Sequence, residues 1–157
     1  TPILLQLYFF WIGLPKLVPF ELSDTQCIVV ALAVNASAFI SEIIRAGIAA
    51  VDKGQWEAAR SIGLSETHVM THVILPQAVK NVLPALANEM VTMVKESSIC
   101  SVLGMAELMF AAKTIAGSTG ISLAPYTLAA LVYFCINYPA SKGIEAIERR
   151  MRRGDKQ

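Results

Sequence analysis

The residues best placed to do chemistry are ionisable side chains inside apolar stretches. Glu89 lies between Asn88 and Met90 in a long apolar segment, and Lys95 and Glu96 follow in the same segment. A charge at the centre of a bilayer costs about 2.5–3.5 kcal/mol on insertion scales, so such residues are usually paired or line a polar path. Glu89 is therefore a candidate polar contact on such a path, for the ammonium or a side-chain cation of a solute. An internal hydrogen bond to Asn88 or to a neighbouring helix explains it equally well.

Three more polar side chains are candidates for the same path, namely Glu96, Asn35 and Ser37. Ala33, Ser37 and Ser41 recur at four-residue spacing, and such stripes of small residues let helices approach closely in lipid. Packing is therefore the default interpretation of Ser37, and a lining role for it or for Asn35 is the weaker one. For Glu96, pairing with another helix is favoured over lining the path.

No set of residues has the spacing of a catalytic, metal or nucleotide site. His68 and His72 are four residues apart but have no third ligand nearby. Cys27, Cys100 and Cys135 lie far apart in apolar runs, so we expect them to pack as small hydrophobic residues. No GxxxxGK[S/T] loop is present, so ATP would have to bind to another chain. With a net charge of +1 and no basic stripe between aromatics, nucleic-acid binding has no support. We expect neither an enzyme nor a cofactor.

Long apolar segments carry these candidates. Hydrophobic residues make up 55% of the 157-residue chain and charged residues 16%, against about 25% in soluble domains. A membrane-spanning helix needs about 20 mostly apolar residues. Four segments qualify or come close: residues 3–18, 27–48, 82–108 and 123–144. No segment alternates with a period of two, so we expect an all-α, polytopic transmembrane bundle with four helical segments.

The distribution of cations sets the orientation, because cytoplasmic loops carry an excess of Lys and Arg. Lys53, Arg60 and Lys80 lie in the polar stretch 49–80, whereas the loops near Pro19 and Gly117 have one lysine each. The tail adds five cations: Arg149, Arg150, Arg152, Arg153 and Lys156. We therefore expect the 49–80 loop and the C-terminus to face the cytoplasm.

This loop has the pattern of two short helices. Asp52 and Gln55 form a capping-box pattern at the start of the first helix. Gly63 can end that helix, because glycine adopts the left-handed conformation without penalty. Ser65 can cap a second helix over residues 66–74, before Leu-Pro.

Several residues of the loop recur at fixed spacing: Glu57-Ala58-Ala59, then Gly63, then Val73, Leu75 and Pro76. They resemble the EAA loop of bacterial ABC importer permeases, with Val73 in place of the usual isoleucine. The resemblance implies that the loop docks into a cleft of a cytoplasmic ATPase subunit. The residues it assigns to docking are Glu57, Ala58, Ala59, Gly63, Leu75 and Pro76.

Further stretches resemble the polar amino acid subfamily of these permeases: residues 1–7, 13–15, 41–48, 53–59, 74–78 and 95–99. The last reads Lys-Glu-Ser-Ser-Ile where the subfamily usually has Lys-Asp-Thr-Ser-Leu. The resemblance implies a type I permease-like fold in a bacterial plasma membrane. Implied partners are two ATPase subunits, a second permease copy or homologue, and an external solute-binding protein or fused domain.

Members of this subfamily normally have five spans. We therefore expect residues 1–157 to form one permease domain that lacks the first span and part of the second, with a coupling loop at about 49–80. Two alternatives remain. One is a permease for another small solute, against which Trp56 before Glu57 and the stretch 95–99 argue. The other is a membrane scaffold without transport, against which the ionisable residues of the third segment argue.

Overall fold

The computed structural model describes the backbone of residues 1–153 and the side chains of residues 1–151. Within that range every regular element is helical, which confirms the predicted all-α class. The α-helices are α1 (Ile3–Leu17), α2 (Asp24–Ala49), α3 (Lys53–Ser61), α4 (Glu66–His68), α5 (Leu75–Glu96), α6 (Leu108–Thr119) and α7 (Leu123–Arg153). They belong to two compact units. Unit 1 comprises Thr1–Ala38 and Val91–Ala140, and unit 2 comprises Phe39–Met90 and the chain from Ser141 onward.

By length and composition, α2 alone among the described helices could cross a bilayer, with a mean hydropathy of 2.1. The helical stretch Glu66–Leu103 meets α6 at an angle of 44° across a short break. If the two helices form one broken span, they are a second segment that could cross a bilayer. Ser23 and Asp24 in the sequence predict a turn followed by a helix N-cap, and the structure confirms this cap before α2. Ser23 Oγ accepts from the Gln26 backbone N–H, and the Gln26 side chain accepts from the Ser23 backbone N–H at 2.9 Å.

The core of unit 1 joins α1 and α2 to the 3₁₀-helix Ser97–Leu103, which follows α5. Its buried members are Leu7, Ile28, Ala31 and Cys100. Cys27 is buried as well, whereas Cys135 is exposed, so the prediction that all three cysteines pack in a core is wrong for Cys135.

The predicted end of the third apolar segment at residue 108 is wrong. The helical chain stops at Leu103 because Gly104 adopts φ 79°, and Glu107 then caps a separate helix, α6, that the sequence analysis missed. Gly117, expected in a loop, lies inside α6, and the turn occurs at Gly120. The apolar run continues across the break, which is why composition alone conceals it.

In unit 2 the helix after Ser65 was expected to end before Leu75-Pro76, and that prediction is also wrong. The chain remains helical from α4 through a π-helical turn, Val69–Ile74, directly into α5. The Leu75 N–H donates to Met70 O, five residues back. Proline lacks an N–H and crowds the carbonyl four residues earlier, and the wider turn just before Pro76 accommodates both effects.

The predicted basic tail lies on and beyond the end of α7. Arg149 and Arg150 are exposed on that helix. Lys156 and the side chains of Arg152 and Arg153 lie outside the described residues.

Candidate functional site

The predicted docking loop is a helical hairpin, α3–turn–α4, within unit 2. Asp52 caps α3, and its carboxylate accepts from the Gly54 N–H at 2.7 Å. The Gln55 side chain does not complete the predicted capping box, because its carbonyl accepts from the Gln77 amide of α5 at 3.5 Å. Ser65 caps α4 and accepts from the His68 N–H, as the sequence predicts.

Gly63 ends α3 in the left-handed conformation, with φ 81°. The Gly63 N–H donates to Arg60 O at 2.9 Å, and the Leu64 N–H donates to Ala59 O at 3.3 Å. These two bonds together define a Schellman motif, which satisfies the last carbonyls of a helix. The turn between the two helices is therefore a fixed structure, and only a residue tolerant of positive φ fits it without strain.

Two side-chain contacts brace the same turn. The Arg60 guanidinium binds the Glu66 carboxylate through two nitrogens, at 2.8 and 2.9 Å, and so links α3 to α4. The guanidinium also lies over the Trp56 ring, 5.7 Å from its centroid. The hydrogen bond to Glu66 raises the pKa of Arg60, and the negative charge of Glu66 raises it further. The pair is exposed, so we assign it a role in orienting the hairpin and little stabilisation.

A small hydrophobic core lies under the hairpin. Its buried side chains come from the turn after α2, from α3, from the π-helical turn and from α5: Val51, Ala59, Val69, Ile74 and Ala78. Ile48 at the end of α2 packs against them. Trp56 and Val73 pack against this cluster and are partly buried. Val73 occupies the aliphatic position of the EAA pattern, so that position serves the packing of the hairpin. Because its core is shared with α2 and α5, the hairpin is tied to helices of the apolar segments.

The six predicted docking residues divide into two groups. Glu57 and Ala58 are exposed on α3, and the Glu57 carboxylate has no hydrogen bond or ion pair within the described part of the chain. Ala59 is only 5% exposed and faces the core of the hairpin, so it holds the surface in place and does not form it. Gly63 forms the turn, whereas Leu75 and Pro76 are exposed at the start of α5.

A close helix contact in unit 2 escaped the sequence analysis. Gly47 is buried near the end of α2, and a Cβ at this position would overlap the Val82 Cγ2 methyl of α5. The Asn81 amide of α5 also donates to Gly47 O, at 3.4 Å. Gly47 therefore allows α2 and α5 to meet directly beneath the hairpin. A glycine next to small residues in an apolar segment is the signal that could have revealed this contact.

The four candidate path residues are divided between the units. Asn35, half-buried, lines a groove between α1 and α2 in unit 1, and Ser37 Oγ donates to the Val34 carbonyl at 2.7 Å. Glu96 ends α5 and is half-buried in unit 1. No ion pair of Glu96 with another described residue is present. Glu89 is half-buried in unit 2.

A polar groove of about 490 Å³ lies within unit 2 between α5 and α7. The groove reaches Asn88, the sequence neighbour of Glu89, and polar or charged side chains form much of its lining: Lys80, Asn81, Asn88, Ser141, Glu145 and Glu148. Glu145 is already bound by Lys142 and Arg149, at 2.9 and 3.2 Å. Sequence reasoning missed this groove because it depends on which faces of two distant helices meet.

Unit 1 contains a polar contact that the sequence analysis also missed. The Glu107 carboxylate accepts from the backbone N–H groups of Met109 and Phe110, at 2.8 and 2.6 Å, and thereby caps α6. The Tyr133 hydroxyl of α7 donates to the same carboxylate at 3.0 Å. This contact joins the break before α6 to α7. The glutamate directly before the apolar run of α6 was the available signal.

Comparison with known proteins identifies the family. The family described as binding-protein-dependent transport system inner membrane component matches residues 1–153. The chain is 41% identical to the arginine transport system permease protein ArtQ of Bacillus subtilis, over 99% of this chain and 71% of the relative. It is 43% identical to the probable glutamine ABC transporter permease protein GlnM of the same species, over 96% of this chain and 69% of the relative.

Solved structures agree with this assignment. A crystal structure of an amino acid ABC transporter with histidines superposes with a TM-score of 0.89 at 46% identity, over 96% of this chain and 70% of that one. An inward-facing MetNI methionine ABC transporter superposes with a TM-score of 0.78, over 96% of this chain and 69% of that one. Its sequence identity is only 20%, so this similarity supports the fold alone. The predicted type I permease fold is confirmed. The chain belongs to the family of inner membrane components of binding-protein-dependent transport systems.

Proposed function

We propose that the chain is the multi-pass permease of an ATP-driven importer for polar amino acids, and that the α3–α4 hairpin couples it to a separate ATPase. The relatives named for arginine and glutamine transport support the substrate class. The observation that carries the coupling role is the construction of the hairpin. It presents an exposed Glu57, which has no ion pair among the described residues, beside Ala58 on a short helix whose end and base are both fixed.

This construction suits the transmission of rigid-body motion. A partner that moves α3 moves the shared core of Ala59, Val69 and Ala78, and through it the ends of α2 and α5. Packed elements shift as units because their interfaces do not deform continuously. Glu57 supplies a charge for an arginine or for backbone N–H groups of the ATPase cleft. Leu75 and Pro76, exposed at the start of α5, are the other docking residues of this proposal.

The remaining partners follow from the same proposal. A second permease copy or homologue encloses the path, two ATPase subunits hydrolyse ATP, and an external binding protein or fused domain delivers the amino acid. The hairpin and the C-terminus face the cytoplasm, consistent with the cations of residues 49–80 and of the tail. Alternating access then moves the permease halves about a central site.

For the path itself we propose contributions from Glu89, Asn35, Ser37 and Glu96. Polar groups within membrane segments are costly, which supports a role for each in solute contact or in pairing. Glu89 is the first to test, because it is a half-buried carboxylate in the interior of α5. Glu89→Gln should weaken transport of a cationic amino acid more than that of a neutral one, because only the former needs a counter-charge.

Reconstitution tests the proposed function. The permease is reconstituted into lipid vesicles with its ATPase subunit and binding protein. Uptake of labelled arginine and glutamine is then measured with ATP supplied either at the cytoplasmic face of the permease or at the opposite face. Uptake of either amino acid that depends on ATP at the cytoplasmic face supports the proposal. Uptake of an unrelated solute alone would point to another importer permease, and binding of the partner with no uptake of any solute would point to a scaffold.

A further inference from the structure

The tip of the hairpin carries a large apolar side chain that faces away from the protein. Ile62 is 77% exposed, and it directly precedes Gly63 at the turn. Exposed apolar residues on membrane helices can contact lipid and need no further explanation. Ile62 is different, because it lies between the caps Asp52 and Ser65 in the polar stretch that our proposal places in water. An isoleucine left in water gains free energy from any partner that buries it.

The turn holds Ile62 in a defined position. Its N–H donates to Ala58 O at 3.3 Å, and the Schellman bonds of Gly63 and Leu64 fix the residues that follow. Leu64 is only 36% exposed, less than half the exposure of Ile62. A side chain presented by a rigid backbone loses little further conformational freedom on binding. Ile62 therefore has the properties of a preorganised anchor.

The surroundings indicate which partner this anchor fits. Ala58 lies four residues before Ile62, so both occupy one side of α3, next to Glu57. The cationic Arg60 is turned away, with its guanidinium bound to Glu66 and stacked on Trp56. Ala58 and Ile62 thus form a small apolar patch beside the Glu57 carboxylate, on a side of α3 that also carries exposed polar side chains. This patch is continuous with the surface that we assign to ATPase docking.

We infer that Ile62 is the apolar anchor of this docking surface and inserts into an apolar pocket of the ATP-hydrolysing subunit. The inference rests on the proposed function and adds a residue that lies outside the EAA pattern. Anchors of this kind carry a large share of the energy of an interface, with neighbouring contacts contributing less. Glu57 then sets orientation and specificity, and Ile62 supplies affinity.

Binding measurements on the intact permease in lipid nanodiscs test this assignment. The probe is the purified ATP-hydrolysing subunit of the same importer, and its Kd is measured for the wild type, Ile62→Ser, Ile62→Leu and a control. Ile147→Ser is the matched control, because Ile147 is 59% exposed in the same unit but lies on α7, away from the hairpin turn. We expect Ile62→Ser to raise the Kd roughly 10- to 100-fold, the effect of losing one buried aliphatic side chain. Ile62→Leu, which conserves volume, and Ile147→Ser should bind like the wild type.

The outcomes separate the anchor from the proposed function. If the wild type binds and Ile62→Ser binds equally well, the anchor is overturned and the docking role of the hairpin stands. If Ile147→Ser raises the Kd as much as Ile62→Ser does, the effect is not specific to the tip of the hairpin, and the anchor is again overturned. If the wild-type permease does not bind the ATP-hydrolysing subunit, the proposed function fails and the anchor fails with it. Equal thermal unfolding midpoints of the variants show that a loss of binding is not a loss of folding.

Discussion

Replacement of Gly63 is the most informative perturbation of the hairpin, because this residue provides the left-handed turn between α3 and α4. Gly63 adopts φ 81°. A residue with a Cβ in this conformation loses about 1–2 kcal/mol, with asparagine tolerated best. Proline is worse, because its ring fixes φ near −65° and it lacks the N–H that donates to Arg60 O at 2.9 Å. That hydrogen bond alone contributes about 1 kcal/mol.

These magnitudes predict an order of activity. A loss of 1–2 kcal/mol shifts the ratio of formed to opened hairpins about 5- to 30-fold. Coupled uptake should therefore fall in the order wild type, Gly63→Asn, Gly63→Ala, Gly63→Pro. A Cβ at Gly63 would meet no neighbouring atom within 4 Å, so the strain is confined to the backbone and the amount of protein in the membrane should stay constant.

Vesicle uptake and ATP hydrolysis are measured together for the series. In Gly63→Pro we expect uptake to be lost while the protein still inserts in the membrane, and solute should no longer stimulate ATP hydrolysis. Gly143→Ala is the control, because Gly143 has open space around its Cβ position and lies on α7. Normal coupled uptake by Gly63→Pro would refute the reasoning, since the observed turn cannot form with proline.

Three further predictions concern other contacts. Glu57→Lys should reduce solute-stimulated ATP hydrolysis about tenfold or more in reconstituted vesicles, because it places a cation where the partner binds a carboxylate; an unchanged rate counts against docking. Gly47→Ala should lower the free energy of unfolding by about 1–3 kcal/mol, because the added methyl group overlaps the Val82 side chain. Val82→Ala in the same chain removes the overlapping atoms and should restore the thermal unfolding midpoint. Tyr133→Phe should lower the free energy of unfolding by about 1.5–3 kcal/mol, because the hydrogen bond to Glu107 is lost. An unchanged thermal unfolding midpoint in detergent would show that this hydrogen bond does not stabilise the fold.

Local features of the loop could be predicted from sequence because they depend on neighbours in the chain. The caps at Ser23, Asp52 and Ser65 and the left-handed turn at Gly63 are all present. Each is encoded by a short polar side chain or a glycine within a few residues of the group it satisfies.

Features that depend on helix meeting helix could not be predicted in this way. The inward orientation of Ala59 follows from the cluster with Val69 and Ala78, and sequence alone gave both alanines of the pattern the same role. Pro76 was expected to end a helix, yet the π-helical turn before it carries the helix onward. The break at Gly104 is hidden because apolar residues continue on both sides of it.

The central claim is that the exposed side of α3 contacts an ATP-hydrolysing subunit at the cytoplasmic face. Photocrosslinking residues placed one at a time at positions 57, 58, 59 and 62 of the reconstituted assembly test it directly. We expect adducts with the ATP-hydrolysing subunit from positions 57, 58 and 62, and few from position 59, where the side chain is buried. Adducts from the exposed positions only with an extracytoplasmic protein, or with no nucleotide-hydrolysing partner, would contradict it.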